Sequence, residues 1–153
     1  MMRNVQVGRT VDAPRASVWA VLADYPNIAD WNDGVQKSFA IGDATEGVGA
    51  QRQCELAPNG SMQMRETIDE WVPEERMVVD IDQIEKMPVK AATMTFTLSG
   101  DGETTSFAMN YDYEPKGGPL AFIFGPLLDR QMKKGFSGFI DSLEPAAKAQ
   151  AAS

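Results

Sequence analysis

Between residues 35 and 114 the chain reads as six consecutive strand segments, most with apolar residues gathered on one of the two alternating faces. The segments span 35–42, 48–56, 62–71, 76–84, 89–99 and 103–114, and separators such as "GDATEG", "APNG", "VPEE" and "SGDGE" are turn material. In a strand, alternate side chains point to opposite faces. Such a segment therefore offers one apolar face, and short turns between neighbours dictate an antiparallel meander. Such a sheet needs a cover, and the tail from Pro119 supplies one. Phe124, Leu128, Met132, Phe136, Phe139, Ile140 and Leu143 recur at steps of three and four, which is one stripe of a long amphipathic helix. Asp129, Arg130, Lys133, Lys134, Asp141 and Glu144 fall on its other side. Gly125-Pro126 is expected to kink or restart this helix, and its alanine-rich end to fray. "PLAFIFG" is apolar for a helix start. Packing on the sheet rim is the plain expectation; a gate, or a patch for a partner or membrane, is the alternative.

Ahead of the meander, "NVQVGRTV" alternates as another strand. "DAPRASVWAVLADY" reads as a short helix with Asp12 as its expected cap near Pro14, and "PNIADWNDG" as a second short helix ended by Asn32-Asp33-Gly34. The fold class is therefore α+β. A seven-stranded curved antiparallel sheet wraps around a long C-terminal helix, with two short helices between the first and second strands. No repeat, linker or second domain interrupts residues 1–153, so one domain is expected.

Composition closes off several function classes. The 14 Lys+Arg against 22 Asp+Glu give a net charge of −8, and there is no basic run. Such a chain is a poor match for nucleic acid and for anionic membranes. No apolar stretch is long enough to span a bilayer, and the N-terminal residues do not read as a leader, so a cytoplasmic location is expected. There is no histidine and only one cysteine, Cys54, so a Cys-His nucleophile and an internal disulfide are both excluded. Zinc signatures and phosphate-binding glycine loops are absent. No metal or cofactor is expected, and the sequence leaves the oligomeric state open.

The element order and the stretches "VDAPRASVWAVLADYPNIADWNDGV", "GVGAQRQCEL", "RETIDEWVPEERM" and "GGPLAFIFGPLLDRQMKKGF" resemble the START-like, helix-grip superfamily. The likeness is to its bacterial polyketide cyclase/dehydrase and lipid-transport-like (SRPBCC) group, and covers nearly the whole chain. It is specific for fold and weak for activity. It implies a deep, mostly apolar cavity between sheet and final helix. Members bind lipids, sterols, hormones, quinones or polyketides, and some catalyse cyclisation or dehydration. No catalytic histidine of the family can be carried over, because this chain has none.

Parity names the residues that would face such a cavity. Arg52, Cys54 and Leu56 share one face of the third strand, and Met62, Met64, Glu66 and Ile68 one face of the fourth. Met77, Val79 and Ile81 follow, then Ala92, Met94, Phe96 and Leu98, then Phe107, Met109, Tyr111 and Tyr113. Plain core packing is the competing reading for each. From this set, Arg52, Cys54, Met64, Glu66, Met77, Met94, Phe96, Phe107, Met109 and Tyr111 are the expected ligand-binding residues, joined by Phe124 and Leu128 from the helix. Two charges travel with the apolar set. A turn over Ala57 to Ser61 pairs Leu56 with Met62 and Cys54 with Met64, which sets Arg52 opposite Glu66 on the inward face. A buried charge without its partner costs about 3–5 kcal/mol, so the two are expected to pair. They could anchor a ligand head group, or form a structural ion pair at a wet rim worth about 0–1 kcal/mol. Tyr111 and Tyr113 could add a hydroxyl or be core aromatics with surface hydroxyls. Trp31 is expected to pack. Gly135 and Gly138 either let the helix approach its neighbours closely or leave room for a ligand.

Three functions fit. The first is binding of a hydrophobic or aromatic small molecule. The second is a cyclase/dehydratase-type enzyme with Glu66 as base and Arg52 or a tyrosine steadying an enolate oxygen. The third is a protein-interaction module like the chaperone-ATPase activators that share the fold; it would have a filled cavity.

Overall fold

A computed structural model of the chain describes residues 2–153. Its strands are β1 (Arg3–Val11), β2 (Val35–Ile41), β3 (Gln51–Leu56), β4 (Gln63–Val72), β5 (Arg76–Glu85), β6 (Val89–Ser99) and β7 (Thr105–Pro115). Helix α1 (Arg15–Ala23) and a 3₁₀ segment (Tyr25–Asp30) lie between β1 and β2. Helix α2 (Ala121–Ala152) follows a short 3₁₀ turn at Gly118–Leu120. The strands form one antiparallel sheet in the order β1-β7-β6-β5-β4-β3-β2. Each strand from β2 onward pairs with the next, as short turns require, and only β1 crosses over to join β7. Register irregularities at Val35/Lys37, Gln63/Arg65, Ile68/Glu70 and Val89/Ala91 add local bend to a sheet that already twists, and the sheet curls.

Burial follows the parity. In β7, Phe107, Met109, Tyr111 and Tyr113 are buried while Ala108, Asn110 and Asp112 are partly exposed. In β6, Ala92, Met94, Phe96 and Leu98 are buried. Helix α2 runs along β1 and α1 and crosses the open side of the sheet. Ile140, Leu143 and Ala147 are wholly buried there. Trp19 of α1 meets Trp71 of β4 edge to face at 5.0 Å, which closes the far end of the core.

Several local expectations are corrected. Asp12 does not cap α1. Pro14 occupies the cap position with no side-chain bond, while Asp12 donates its backbone N–H to Glu144 (2.8 Å) and pairs with Lys148 (3.4 Å). The chain enters α1 tied to α2 instead. Gly125-Pro126 does not break α2, which is continuous through both Pro126 and Pro145. The carbonyls these prolines leave without a helical donor belong to Phe122 and Asp141, both exposed, so water can satisfy them. The alanine-rich end is helical to Ala152, with Ala147 packed into the core. "PLAFIFG" does not pack on the sheet rim: Leu120, Phe122, Ile123 and Phe124 are all exposed.

One polar cluster fixes α2 against the sheet. Arg3 donates from Nε and Nη2 to the two carboxylate oxygens of Asp129 (3.1 and 2.6 Å), and Tyr113 donates its hydroxyl to the same group (2.7 Å). Gly125 allows this, since a Cβ there would collide with the Arg3 guanidinium. Burial first, and then the bond to Asp129, push the Tyr113 hydroxyl up to about 12. The Arg3 bond holds the Asp129 carboxyl below its ordinary value. A lowered carboxylate pKa stabilises the fold fully above the unfolded value, near pH 4, and that contribution is lost as pH falls through the lowered folded value. Stability measured by urea unfolding across the acid range is therefore expected to show an acid limb that is shallower in Arg3→Met. An unchanged limb would remove Asp129 from the account.

Candidate functional site: a cavity under the long helix

The curl of the sheet leaves a cavity of about 260 Å³ between its concave face and α2. That volume lies just below the usual span for small-molecule sites, about 300–1,000 Å³. The walls are built by parity from five adjacent strands. β3 and β4 contribute Arg52, Cys54, Leu56, Met64 and Glu66; β5 to β7 contribute Ile81, Met94, Phe96, Met109 and Tyr111. Ile28, Asn32, Gly34 and Val35 close one side, and Met87 reaches in from the β5–β6 turn. From α2 come Gln131, Met132, Gly135, Phe136 and Phe139. Five methionines and four aromatic side chains make the lining soft and adaptable.

One charged pair interrupts it, beside the neutral polar side chains of Asn32, Tyr111 and Gln131. Arg52 and Glu66 are directly opposed in the β3–β4 register, as the five-residue turn dictates. Arg52 Nε donates to Glu66 Oε1 at 2.9 Å, and Nη1 donates to the backbone carbonyl of Tyr25 at 2.8 Å. The guanidinium also lies over the Tyr25 ring, 3.9 Å from its centroid. Cys54 donates its thiol to the same Oε1 at 3.0 Å. The side chains of Arg52 and Glu66 are only 5% and 11% exposed, so this is a buried pair, not a rim contact. Burial works against the charge on Arg52, but the adjacent carboxylate outweighs it and holds the guanidinium above its ordinary value. Burial, then the negative Glu66, pushes the Cys54 thiol well up, so it is a neutral donor and a poor nucleophile. The same two causes in the same order raise Tyr111, whose phenol stays neutral and able to donate. A fixed cation, a carboxylate and a neutral phenol thus share an apolar chamber.

The expected ligand residues divide. Arg52, Cys54, Met64, Glu66, Met94, Phe96, Met109 and Tyr111 line the chamber. Met77 lies behind it, in a narrow recess with Trp31 and Val21. Phe107 is wholly buried, stacked against Phe96 and Phe139 with ring centroids 5.9 and 6.4 Å away. Phe124 and Leu128 lie outside the chamber, in a separate surface groove with Pro88, Lys116, Leu120 and Leu127. Tyr113 turns its hydroxyl to Asp129 and adds nothing to the chamber. Trp31 packs edge to face on Phe139 at 5.1 Å. Of the two helix glycines, Gly135 lines the chamber, and a Cβ built there meets nothing within 4 Å, so it leaves room. Among the residues missed, Met132, Phe136 and Phe139 carried a signal in the helical stripe; Ile28, Asn32, Gly34 and Val35 around the second short helix, Gln131 of α2 and Met87 in a turn were not singled out either. Among the described residues no group of acidic or cysteine side chains is arranged to hold a metal. Among the described residues no helix is long and apolar enough to cross a membrane.

Solved structures similar to this one share the fold at low identity. TTHA0849 from Thermus thermophilus superposes with a TM-score of 0.79 at 17% identity, covering 96% of this chain and 98% of its own. The Zhui aromatase/cyclase from Streptomyces sp. R1128 gives 0.74 at 21%, covering 97% and 94%. Norcoclaurine synthase from Thalictrum flavum gives 0.70 at 16%, covering 95% and 86%. No curated protein matches the sequence. The family described as "Polyketide cyclase / dehydrase and lipid transport" matches residues 2–148. With that match spanning nearly all of the sequence, and the curved sheet closing over α2 as the fold requires, the chain belongs to the polyketide cyclase/dehydrase and lipid transport family.

Proposed function

We propose that the protein binds a small apolar or aromatic molecule bearing an oxygen function, with its apolar body among the methionines and its oxygen on the Arg52–Glu66 pair. One observation supports this most. Burying two charges is expensive, and replacing such a pair by apolar residues is often neutral or stabilising, so its presence facing a cavity asks for a reason. Among the described residues, only Oε1 of Glu66 and Nε and Nη1 of Arg52 bond to protein, which leaves Oε2 and Nη2 free for a ligand. Mass spectrometry of material extracted from natively purified protein tests the reading. A copurified or added oxygenated aromatic of two or three rings is the expected result; a chamber that stays empty when such compounds are supplied would contradict it.

A second reading, a cyclase or dehydratase, is supported by the third group in the chamber. Glu66 would take a proton beside a carbonyl, and Arg52 or the neutral Tyr111 would steady the developing enolate oxygen. The names of the aromatase/cyclase and the synthase above lend it weight by fold analogy alone. Turnover of a poly-β-ketone probe that is lost in Glu66→Gln, with binding retained, separates it from simple binding. The open chamber weighs against a purely protein-interacting role.

Entry is proposed at the start of α2. Gly117 and Gly118 have positive φ (105° and 52°), so the turn into the helix depends on glycine. The groove there lies next to the chamber in the chain: Leu128 stands one helical turn from Met132 of the chamber wall, and Pro88 follows Met87. Hydrogen exchange across 117–125 is expected to be fast in the free protein and slower with ligand. Uniform slow exchange in the free protein would mean a fixed element.

A further inference from the structure

Five of the eight residues from Leu120 to Leu127 are large, apolar and exposed, with Phe122 at 68% and Ile123 at 70%. They form most of the exposed large apolar side chains among the described residues, gathered at one end of one helix. A contiguous apolar patch on a water-facing surface marks a contact with something apolar. The charge around it is the second observation. The chain carries −8 overall, yet residues 116–134 hold Lys116, Arg130, Lys133 and Lys134 against a single acid, Asp129, which is already bonded to Arg3. Ile123, Leu127, Arg130 and Lys134 stand at three- and four-residue steps, so apolar and basic residues follow one another along one ridge of α2. At 1.5 Å per residue, Arg130 is about 10 Å and Lys134 about 16 Å along the axis from Ile123. Amphipathic segments at a bilayer surface bury their apolar side chains about 5–10 Å below the headgroup level. A helix end inserted to that depth brings Arg130 level with lipid phosphates and holds Lys134 about one turn above them, where its long side chain can reach down.

We propose that the N-terminal end of α2 is a docking surface for an anionic lipid bilayer, with Phe122, Ile123 and Leu127 entering the acyl boundary and Arg130, Lys133 and Lys134 contacting headgroups. The acidic remainder of the chain is repelled by the same surface, so the charge distribution orients the protein tip-down. A second copy of this chain is a worse occupant, because face-to-face association of two tips would bring two sets of the same cations together. The contact is peripheral, since α2 is not apolar enough to cross. It does not depend on what, if anything, fills the cavity, although Gln131 and Met132 of the cavity wall lie within about one turn of the tip.

Cosedimentation of the full chain with vesicles tests this. One set is phosphatidylcholine alone, and the other is two parts phosphatidylcholine to one part phosphatidylglycerol. The protein is expected to pellet with the anionic vesicles at low salt and to be released by salt. At about 1 kcal/mol for each basic residue near the surface, Arg130→Glu with Lys133→Glu and Lys134→Glu is expected to weaken partition by about a hundredfold or more. Phe122→Ser with Ile123→Asp is expected to lose binding to the anionic vesicles. These side chains are exposed, so the variants keep the fold, and Phe39→Ser, an exposed aromatic on β2, is the control expected to bind as the unaltered protein does. No binding to anionic vesicles would overturn the proposal, as would binding that the tip variants leave unchanged. A protein dimer or heteromeric contact abolished by the tip variants, without vesicle binding, would reassign the patch to a protein partner.

Discussion

Arg52→Met is expected to lower the stability of the fold at neutral pH by about 3–5 kcal/mol, a large part of the roughly 5–15 kcal/mol that holds a typical domain together. The change removes the cation from a site where Glu66 is almost fully enclosed, and leaves a lone carboxylate facing methionines and aromatics. It also removes the bond to the Tyr25 carbonyl, so a buried acceptor loses one of its donors. Glu66→Gln alone is expected to cost less, because a neutral amide can still accept from Arg52 and Cys54. Arg52→Met with Glu66→Gln is expected to recover part of the loss, since no unpaired charge remains, and the cycle should give an interaction of about 0.5–3 kcal/mol. Strictly additive effects in urea unfolding would mean that the side chains do not act on one another. Binding separates the pair's two roles. If the pair anchors the ligand, affinity stays low in the double variant even as stability returns; if the pair is only structural, affinity returns with it.

Gly135→Trp is the complementary experiment, expected to empty the site of ligand while sparing the fold. Gly135 stands on the helix where a Cβ meets nothing within 4 Å, and it borders the cavity. An indole there takes up a large share of the 260 Å³. Denying a ligand about 100 Å² of apolar burial, at about 25 cal/mol per Å², costs on the order of a hundredfold in affinity. The fold is expected to be no less stable, and Gly135→Ala should gain about 0.5–1 kcal/mol from the lower backbone entropy of its unfolded chain. Retained affinity in Gly135→Trp would place the ligand somewhere other than under α2.

Much of this was legible before the structure, and the reasons are physical. Strand parity has a period of two, so one fixed turn sets a whole register. The length of the turn at Ala57 to Ser61 was enough to oppose Arg52 and Glu66, as the β3–β4 pairing does. Parity gives the face of a residue and not its depth. Met77 and Phe107 are inward, but other side chains stand between them and the open space. The helical stripe has the same limit along its axis. It runs unbroken from Phe124 to Leu143, yet the helix outreaches the sheet, so Phe124 is exposed while Phe139 is buried. Nothing in a stripe says where the opposing surface ends. Capping signals were overridden by tertiary contacts, as when Asp12 turned to Lys148 and Glu144. Asn32 and Met87 reached the cavity from loops, where no periodicity exists to announce them.

The methionines offer the most direct test of the central claim. Met64, Met87, Met94, Met109 and Met132 line the cavity, whereas Met2 is exposed and Met77 lies behind the wall. In a methyl-labelled sample titrated with naphthol, resonances of the five lining methionines are expected to shift together and saturably, with Met2 unmoved. Arg52→Met with Glu66→Gln should weaken that titration without removing the cavity signals. Shifts confined to exposed methyls, or none at saturating probe, would contradict a ligand site between the sheet and α2.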